Sequence, residues 1–270
     1  MGFTVDDITK YLDLIAPFDT AEAWDNVGLL VGDRTKVTKK ILLALDISEE
    51  VVDEAIDHEV DLIISHHPVI FKSLKYISSD NRSGRILMKL IQNNISVIAA
   101  HTNLDVSVEY GINGFLADCY GLKQQRPMSE AHPFGVVGEF EQQIPLESFL
   151  DLTKGIFKVT QIKCANMDDL STVKRLAICS GASADFIEDA INTQADLYVT
   201  SDIKYHEAQA VIGTKMGLVD VGHFESEVVY LSHLKSLLNH RFNVHNSVKG
   251  QEVGIQILVS KLEKPIFSYR

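Results

Sequence analysis

The sequence predicts an α/β protein made of two related lobes. Short apolar runs alternate with amphipathic stretches, the pattern of parallel βαβ units. In addition, one strand–helix–strand segment recurs 135 positions further along the chain. The first helix is set by Thr4 and Asp7, a Thr-x-x-Asp cap, followed by Ile8, Leu12 and Ile15 at helical spacing until Pro17. Ile41–Leu45 is a continuous apolar run and reads as a buried strand. Ser48 then caps a helix with Glu49 and Glu50 in its first turn, where the helix dipole favours negative charge. A second buried strand follows at Asp61–Ser65, a helix at Ser83–Asn93 and a third strand at Ile95–Ala100.

The repeat places Ile41–His67 on Leu176–Asp202 without a gap. Ser48 meets Ser183, Ala55 meets Ala190, Asp61 meets Asp196 and Leu62 meets Leu197. Each copy reads as strand, Ser-capped helix, strand. A second correspondence joins the strand ending in His101–Asp105 to the strand ending in His223–Glu227, each with a histidine and a carboxylate four apart. The expected domains are a first α/β lobe at 1–120, a connecting segment at 121–173 packed on the lobes, and a second α/β lobe at 174–270. Within the connecting segment, Phe134–Phe140 and Val159–Cys164 suggest strands and Pro145–Gly155 a helix. A helix carrying Val228, Leu231, Leu234 and Leu238 follows Glu227, and Gly254–Val259 alternates like an edge or final strand.

Composition narrows the function classes. The chain has 270 residues, of which 46% are hydrophobic and 23% charged, ordinary values for a globular protein. A formal net charge of -12 argues against nucleic acid or an anionic membrane as partner, since phosphate backbones need a cationic face. Three scattered cysteines make neither a disulfide framework nor a four-cysteine zinc site, which fits a reducing, cytoplasmic setting. The opening MGFTVDDITK is acidic and amphipathic, unlike a signal peptide, and no apolar run approaches the roughly 18 residues of a membrane span.

The candidate chemistry lies at strand ends, where open α/β sheets bind their ligands. His66 and His67 directly follow one strand; His101 with Asp105 and His223 with Glu227 follow two others. Adjacent histidines in extended chain point to opposite sides, so the pair can serve two metal ions. Imidazoles mixed with carboxylates suit Zn, Mn, Fe or Co. Two such ions roughly 3.5–4 Å apart would activate water and polarise a substrate together. Three further residues carry two readings each. Trp24, the single tryptophan, either stacks on a base or packs in the core; Lys204 either meets a phosphate or opens a surface helix; the amides of the Ser183 loop either hold an anion or form a plain helix cap. There is no Walker loop or G-x-G-x-x-G.

The segments EAWDNVGLLVG (Glu22–Gly32), DLIISHHPVIF (Asp61–Phe71), AAHTNLD (Ala99–Asp105), SDIKYHEA (Ser201–Ala208) and GHFESE (Gly222–Glu227) resemble those of the GTP cyclohydrolase 1 type 2 family. The resemblance runs from about Phe3 to the end of the chain. It implies two intertwined α/β lobes with mixed sheets, hexameric assembly, and two divalent metal ions per subunit. By motif the metal ligands would be His66, His67, Asp105, His223 and Glu227. His101 and Glu225 would lie beside them, His101 as a proton shuttle. The implied reaction is hydrolytic ring opening of GTP, a purine nucleotide, with release of formate. The same ligands would suit a nucleotide phosphoesterase, and a non-catalytic metal-holding interaction protein is the reading from a different class. Longer members carry an inserted domain between the lobes, for which this chain has no room.

Overall fold

The structure is a computed structural model that describes residues 2–243 and 254–267. The chain forms two compact units: Met1–Leu104 with Leu231–Arg270, and Asp105–Tyr230.

The first unit opens with helix α1 (Val5–Ile15), whose Thr4/Asp7 capping box forms as expected and whose Val5, Ile8, Leu12 and Ile15 are buried. Strand β1 (Gly28–Val31) and strand β2 (Lys40–Ala44) follow. Helix α2 (Glu49–Asp57) starts where the Ser48 hydroxyl accepts from the amide of Val51. Next come β3 (Leu62–Ser65), α3 (Arg82–Gln92), capped by the Asn81 side chain, β4 (Ser96–Ala99) and the single-turn α4 (Thr102–Asp105). The second unit continues with α5 (Ile112–Cys119), β5 (Lys123–Pro127), β6 (Val136–Pro145), α6 (Leu146–Phe157), β7 (Lys163–Ala165) and β8 (Thr172–Ile178). It closes with α7 (Ile187–Asn192), β9 (Leu197–Thr200), α8 (Tyr205–Ala208), β10 (Gly217–Asp220) and α9 (His223–Val228). Helix α10 (Leu231–Asn243) and strand β11 (Gln256–Val259) return to the first unit.

Both sheets are mixed. The first has the order β1-β4-β3-β2-β11, with β1 antiparallel to β4 and the rest parallel. The second has the order β5-β6-β8-β9-β10-β7, with β8, β9 and β10 parallel and the other pairings antiparallel. Strands β3, β4, β9 and β10 are buried along their whole length, which explains why they read as unbroken apolar runs and not as alternating ones. The core of the first unit packs Val51, Val52 and Ala55 of α2 and Ile86, Leu87 and Leu90 of α3 against Leu42, Ile63 and Val97 of the sheet. That of the second packs Ile187 and Ala190 of α7 against Ala177, Tyr198 and Leu218.

The repeat is visible in the hydrogen bonding. Ile41 faces Leu62 in the first sheet, and Leu176, 135 positions on, faces Leu197 in the second. The Asp61 carboxylate accepts from the amides of Lys39 and Lys40 at 2.7 and 3.1 Å, and the Asp196 carboxylate accepts from Lys174 and Arg175 at 2.7 and 2.8 Å. Each locks the entry of one strand to the start of its parallel neighbour. The chain leaves α2 and α7 through left-handed residues at equivalent positions, Glu59 (φ 53°) and Gln194 (φ 58°).

The structure corrects three expectations. Residues 121–173 are not a separate connector, because β5, β6 and β7 complete the second sheet by antiparallel pairing. The described residues after Tyr230, 231–243 and 254–267, do not belong to the second lobe, because β11 pairs with β2 and α10 lies in the first unit. Finally, Ser183 does not cap a helix by its side chain. A short 3-10 turn intervenes, and the hydroxyl donates to the carbonyl of Ser180.

The duplicated aspartate lock should carry measurable stability. Asp196→Ala removes two charge-assisted hydrogen bonds and is expected to cost about 2 kcal/mol in urea unfolding, with Asp196→Asn costing less. A loss below about 0.5 kcal/mol, the size typical of a neutral surface change, would show that the carboxylate only decorates the strand entry.

Candidate metal centre

The first unit gathers three histidines where its parallel strands end. His66 and His67 follow β3, and their amides donate to the carbonyls of Ala44 and Leu45, which prolongs the β2–β3 ladder beyond the strands. His101 follows β4. The ring atoms that His66, His67 and His101 can offer to a metal lie within 4.8 Å of one another. The His66 and His101 ring centroids are 5.0 Å apart, and those of His67 and His101 are 5.4 Å apart. His66 is buried, at 4% exposure.

Each ring is oriented through Nδ1. His66 Nδ1 donates to the Ala100 carbonyl at 3.0 Å, His67 Nδ1 to the Asp46 carboxylate at 2.9 Å and His101 Nδ1 to the Asp25 carboxylate at 3.0 Å. Carbonyl and carboxylate oxygens only accept, so in the neutral ring the proton sits on Nδ1 and the lone pair on Nε2. Asp25 is itself fixed, since the Thr102 hydroxyl and amide both donate to it at 2.6 and 3.1 Å. Burial of Asp25 opposes its charge, but the hydrogen bonds from His101 and Thr102 outweigh this and hold its carboxyl well below the usual carboxylate range. The remaining polar residue of the HTNLD segment is structural. Asn103 is fully buried, accepts from the His101 amide and donates to the carbonyl of Ala16.

The second unit presents the matching strand ends. His223 and Glu227 lie one turn apart on α9, which starts three residues after β10 instead of being an extension of that strand. His223 Nδ1 donates to the Asp202 carboxylate at 2.8 Å, and its Nε2 lies 3.2 Å from Glu227 Oε2. Glu227 is buried, at 4% exposure. The carboxylate has room because residue 181 is glycine: a Cβ there would lie 2.4 Å from Glu227 Oε1, and the backbone sits at φ +68°. The Ser226 hydroxyl accepts from the Gly181 amide and donates to the His223 carbonyl, and the Ser201 hydroxyl donates to the Gly181 carbonyl. Asp105 is the first residue of this unit and is partly buried at the end of α4.

The histidine and carboxylate candidates thus lie just beyond the ends of parallel strands. The donor set of oriented imidazoles and a buried carboxylate fits a divalent transition metal. Asp25, Asp46, Asp202 and Gly181 were not singled out as site residues in the sequence. The repeat offset would have found some of them, since it lays Asp46 on Gly181 and His67 on Asp202. Of the softer candidates, Trp24 is 57% exposed, so it is not a core residue. Lys204 is committed to its own turn, 2.7 Å from Glu207. Cys179 is fully buried, and burial pushes its thiol up to about 12, which makes it an inert packing residue.

Gly181→Ala tests the cradle around Glu227. The added methyl meets the carboxylate and the positive φ is strained for alanine, so a loss of roughly 1–3 kcal/mol in denaturant unfolding is expected. An unchanged midpoint would mean that the Glu227 side chain moves aside at no cost.

A protein of Clostridium perfringens named GTP cyclohydrolase 1 type 2 homolog is 33% identical over 98% of this chain and 99% of its own length. A Clostridium acetobutylicum protein of the same name is 35% identical over 84% of this chain and 86% of its own. A Staphylococcus aureus relative of that name aligns over 371 positions at 28% identity, so it carries a long insertion that this 270-residue chain lacks. Among solved structures, a Staphylococcus aureus hypothetical protein matches with a TM-score of 0.88 and 32% identity over 100% of both chains. HcgD from Methanocaldococcus jannaschii, in its reduced form, matches with a TM-score of 0.80 and 27% identity over 96% of this chain and 98% of its own. The family DUF34/NIF3 (NGG1p interacting factor 3) matches residues 3–257, and the chain belongs to that family.

Proposed function

We propose that the protein is a metal-dependent hydrolase of the GTP cyclohydrolase 1 type 2 kind, acting in the cytoplasm on a purine nucleotide. In the reaction, water opens the imidazole ring of GTP, formate leaves and dihydroneopterin triphosphate forms. His66, His67, Asp105, His223 and Glu227 would hold two divalent ions, of Zn, Mn, Fe or Co. The observation that carries this reading is the engagement of Nδ1 on His66, His67 and His223 by an oxygen acceptor, an arrangement that prepares Nε2 for a metal.

Bound there, the ions would supply an acidified water and polarise the ring under attack. The chain's own residues orient and move protons. Asp46 and Asp202 hold His67 and His223 in one tautomer. Asp25 accepts from His101 Nδ1 and so fixes the orientation of the ring, whose other nitrogen would take a proton from water and return it to the leaving nitrogen. The same family resemblance supports a hexamer, whose mass would be six times the 30.1 kDa of the chain. The second reading is a metal-holding interaction protein, favoured by the family's description as an interacting factor.

Elemental analysis of protein purified without chelator tests the reading. About two transition-metal equivalents per chain are expected, reduced in His67→Ala and Glu227→Ala, with Asp46→Ala weakening affinity by about 10–100-fold as for other partners of ligating histidines. Formate release from GTP should be lost in His67→Ala while far-UV circular dichroism is unchanged. Absence of metal, and no uptake on addition, would overturn the hydrolase reading and leave the interaction protein.

A further inference from the structure

Beside the three histidines of the first unit, two large aromatic rings stand in solvent. Trp24 is 57% exposed and Phe71 is 48% exposed. Their centroids are 5.7 Å apart at 46°, and each meets the His101 ring edge-to-face, at 6.0 and 6.4 Å. The segment that carries Trp24 is held at several points. The Glu22 amide donates to the Thr102 hydroxyl, the Asp25 amide to the Glu22 carbonyl, and the Asn26 side chain to the carbonyl of Ile70, next to Phe71. Asp25, between Trp24 and Asn26, is tied to His101 and Thr102. These bonds hold the backbone that carries Trp24 and tie it to the segment of Phe71, and both rings are presented to solvent.

An exposed aromatic pair on a pinned backbone offers apolar faces to a flat ligand at little ordering cost. Such platforms accept a nucleobase by its face, whatever its edge carries. We propose that Trp24 and Phe71 form the base-binding subsite of this centre, taking a purine ring and placing its edge against His101. This rests on the reading of the histidine group as the reacting end of the site, and it deepens that reading. A ring held on Trp24 and Phe71 brings its own carbon and nitrogen atoms to the histidines, whereas a phosphoester substrate would have to present its phosphate there. Ring opening, and not phosphate release, is the chemistry this placement serves.

Trp24 is the only tryptophan in the chain, so intrinsic fluorescence excited at the red edge reports on this position alone. Guanosine and adenosine should quench it saturably, and ribose 5-phosphate should not. Phe71→Ala should weaken the nucleoside effect about tenfold, the size alanine substitution gives at one base–aromatic stack, and Phe71→Tyr should restore most of it. Phe71 is half exposed, so neither variant threatens the fold. No saturable quenching by either nucleoside, equal quenching by ribose 5-phosphate, or an unchanged titration in Phe71→Ala would each overturn the subsite. Nucleoside quenching that persists in His67→Ala, with no formate released by any form of the protein, would keep the subsite and remove the hydrolase reading.

Discussion

A neutral imidazole carries its proton on one nitrogen and its lone pair on the other, and an acceptor held against one nitrogen decides which is which. That constraint organises the strand ends. The acceptors for His66, His67 and His223 are the Ala100 carbonyl and the carboxylates of Asp46 and Asp202, each just past the end of a parallel strand. They reach their histidines because the ladders run on beyond the strands. The amides of His66 and His67 bond Ala44 and Leu45, the Ala100 amide bonds Ser65, and in the second unit the Val221 amide bonds Thr200. A slip of one residue between neighbours would turn every one of these side chains to the opposite face. The buried apolar strands therefore do more than fill the core. By fixing register, they fix which oxygen meets which ring.

Duplication explains what was free to change. Asp61 and Asp196 satisfy two amides each at strand entries, and Glu59 and Gln194 take the same left-handed turn out of a helix. These tasks are imposed by the backbone in either copy, so the positions keep their roles. The strand exits carry no such obligation. There Asp46 corresponds to Gly181 and His67 to Asp202, yet both copies end with a carboxylate against a histidine. In the first copy Asp46 holds His67 of the neighbouring strand. In the second, Asp202 at the His67 position holds His223, and the missing side chain at Gly181 leaves the space that Glu227 occupies.

This division also accounts for what could be read from the sequence. Local signals gave the first helix through Thr4 and Asp7, the second through Ser48, and the buried strands through their unbroken apolar runs. The histidines were legible because the pair His66-His67 directly follows a buried apolar run and the two His-x-x-x-acid segments echo one another. The boundaries of the units were not legible. They depend on β11 returning to β2 and on β5, β6 and β7 adding antiparallel edges, pairings over long separations that no short-range pattern encodes. Ser183 misled because a serine at the cap position looks the same whether it bonds the helix or, as here, the preceding turn. Asp25, Asp46 and Asp202 look like ordinary loop acids until the fold brings each to a ring.

Acidity and a phosphorylated substrate are compatible on the proposed reading, and the reason constrains the order of events. The chain carries a formal charge of -12, and the strand exits concentrate it: Asp25 and Asp46 surround the histidines of the first unit, while Asp202 and Glu227 flank His223. Carboxylates in such numbers attract divalent cations and repel a triphosphate at close range, where screening is weak. The cations must therefore be in place before a nucleotide triphosphate approaches, while a neutral nucleoside meets no such barrier at the aromatic pair. Chelated protein should accordingly lose the response of Trp24 to GTP and keep its response to guanosine. Equal loss of both would mean that the metal shapes the aromatic platform itself and does not merely offset charge.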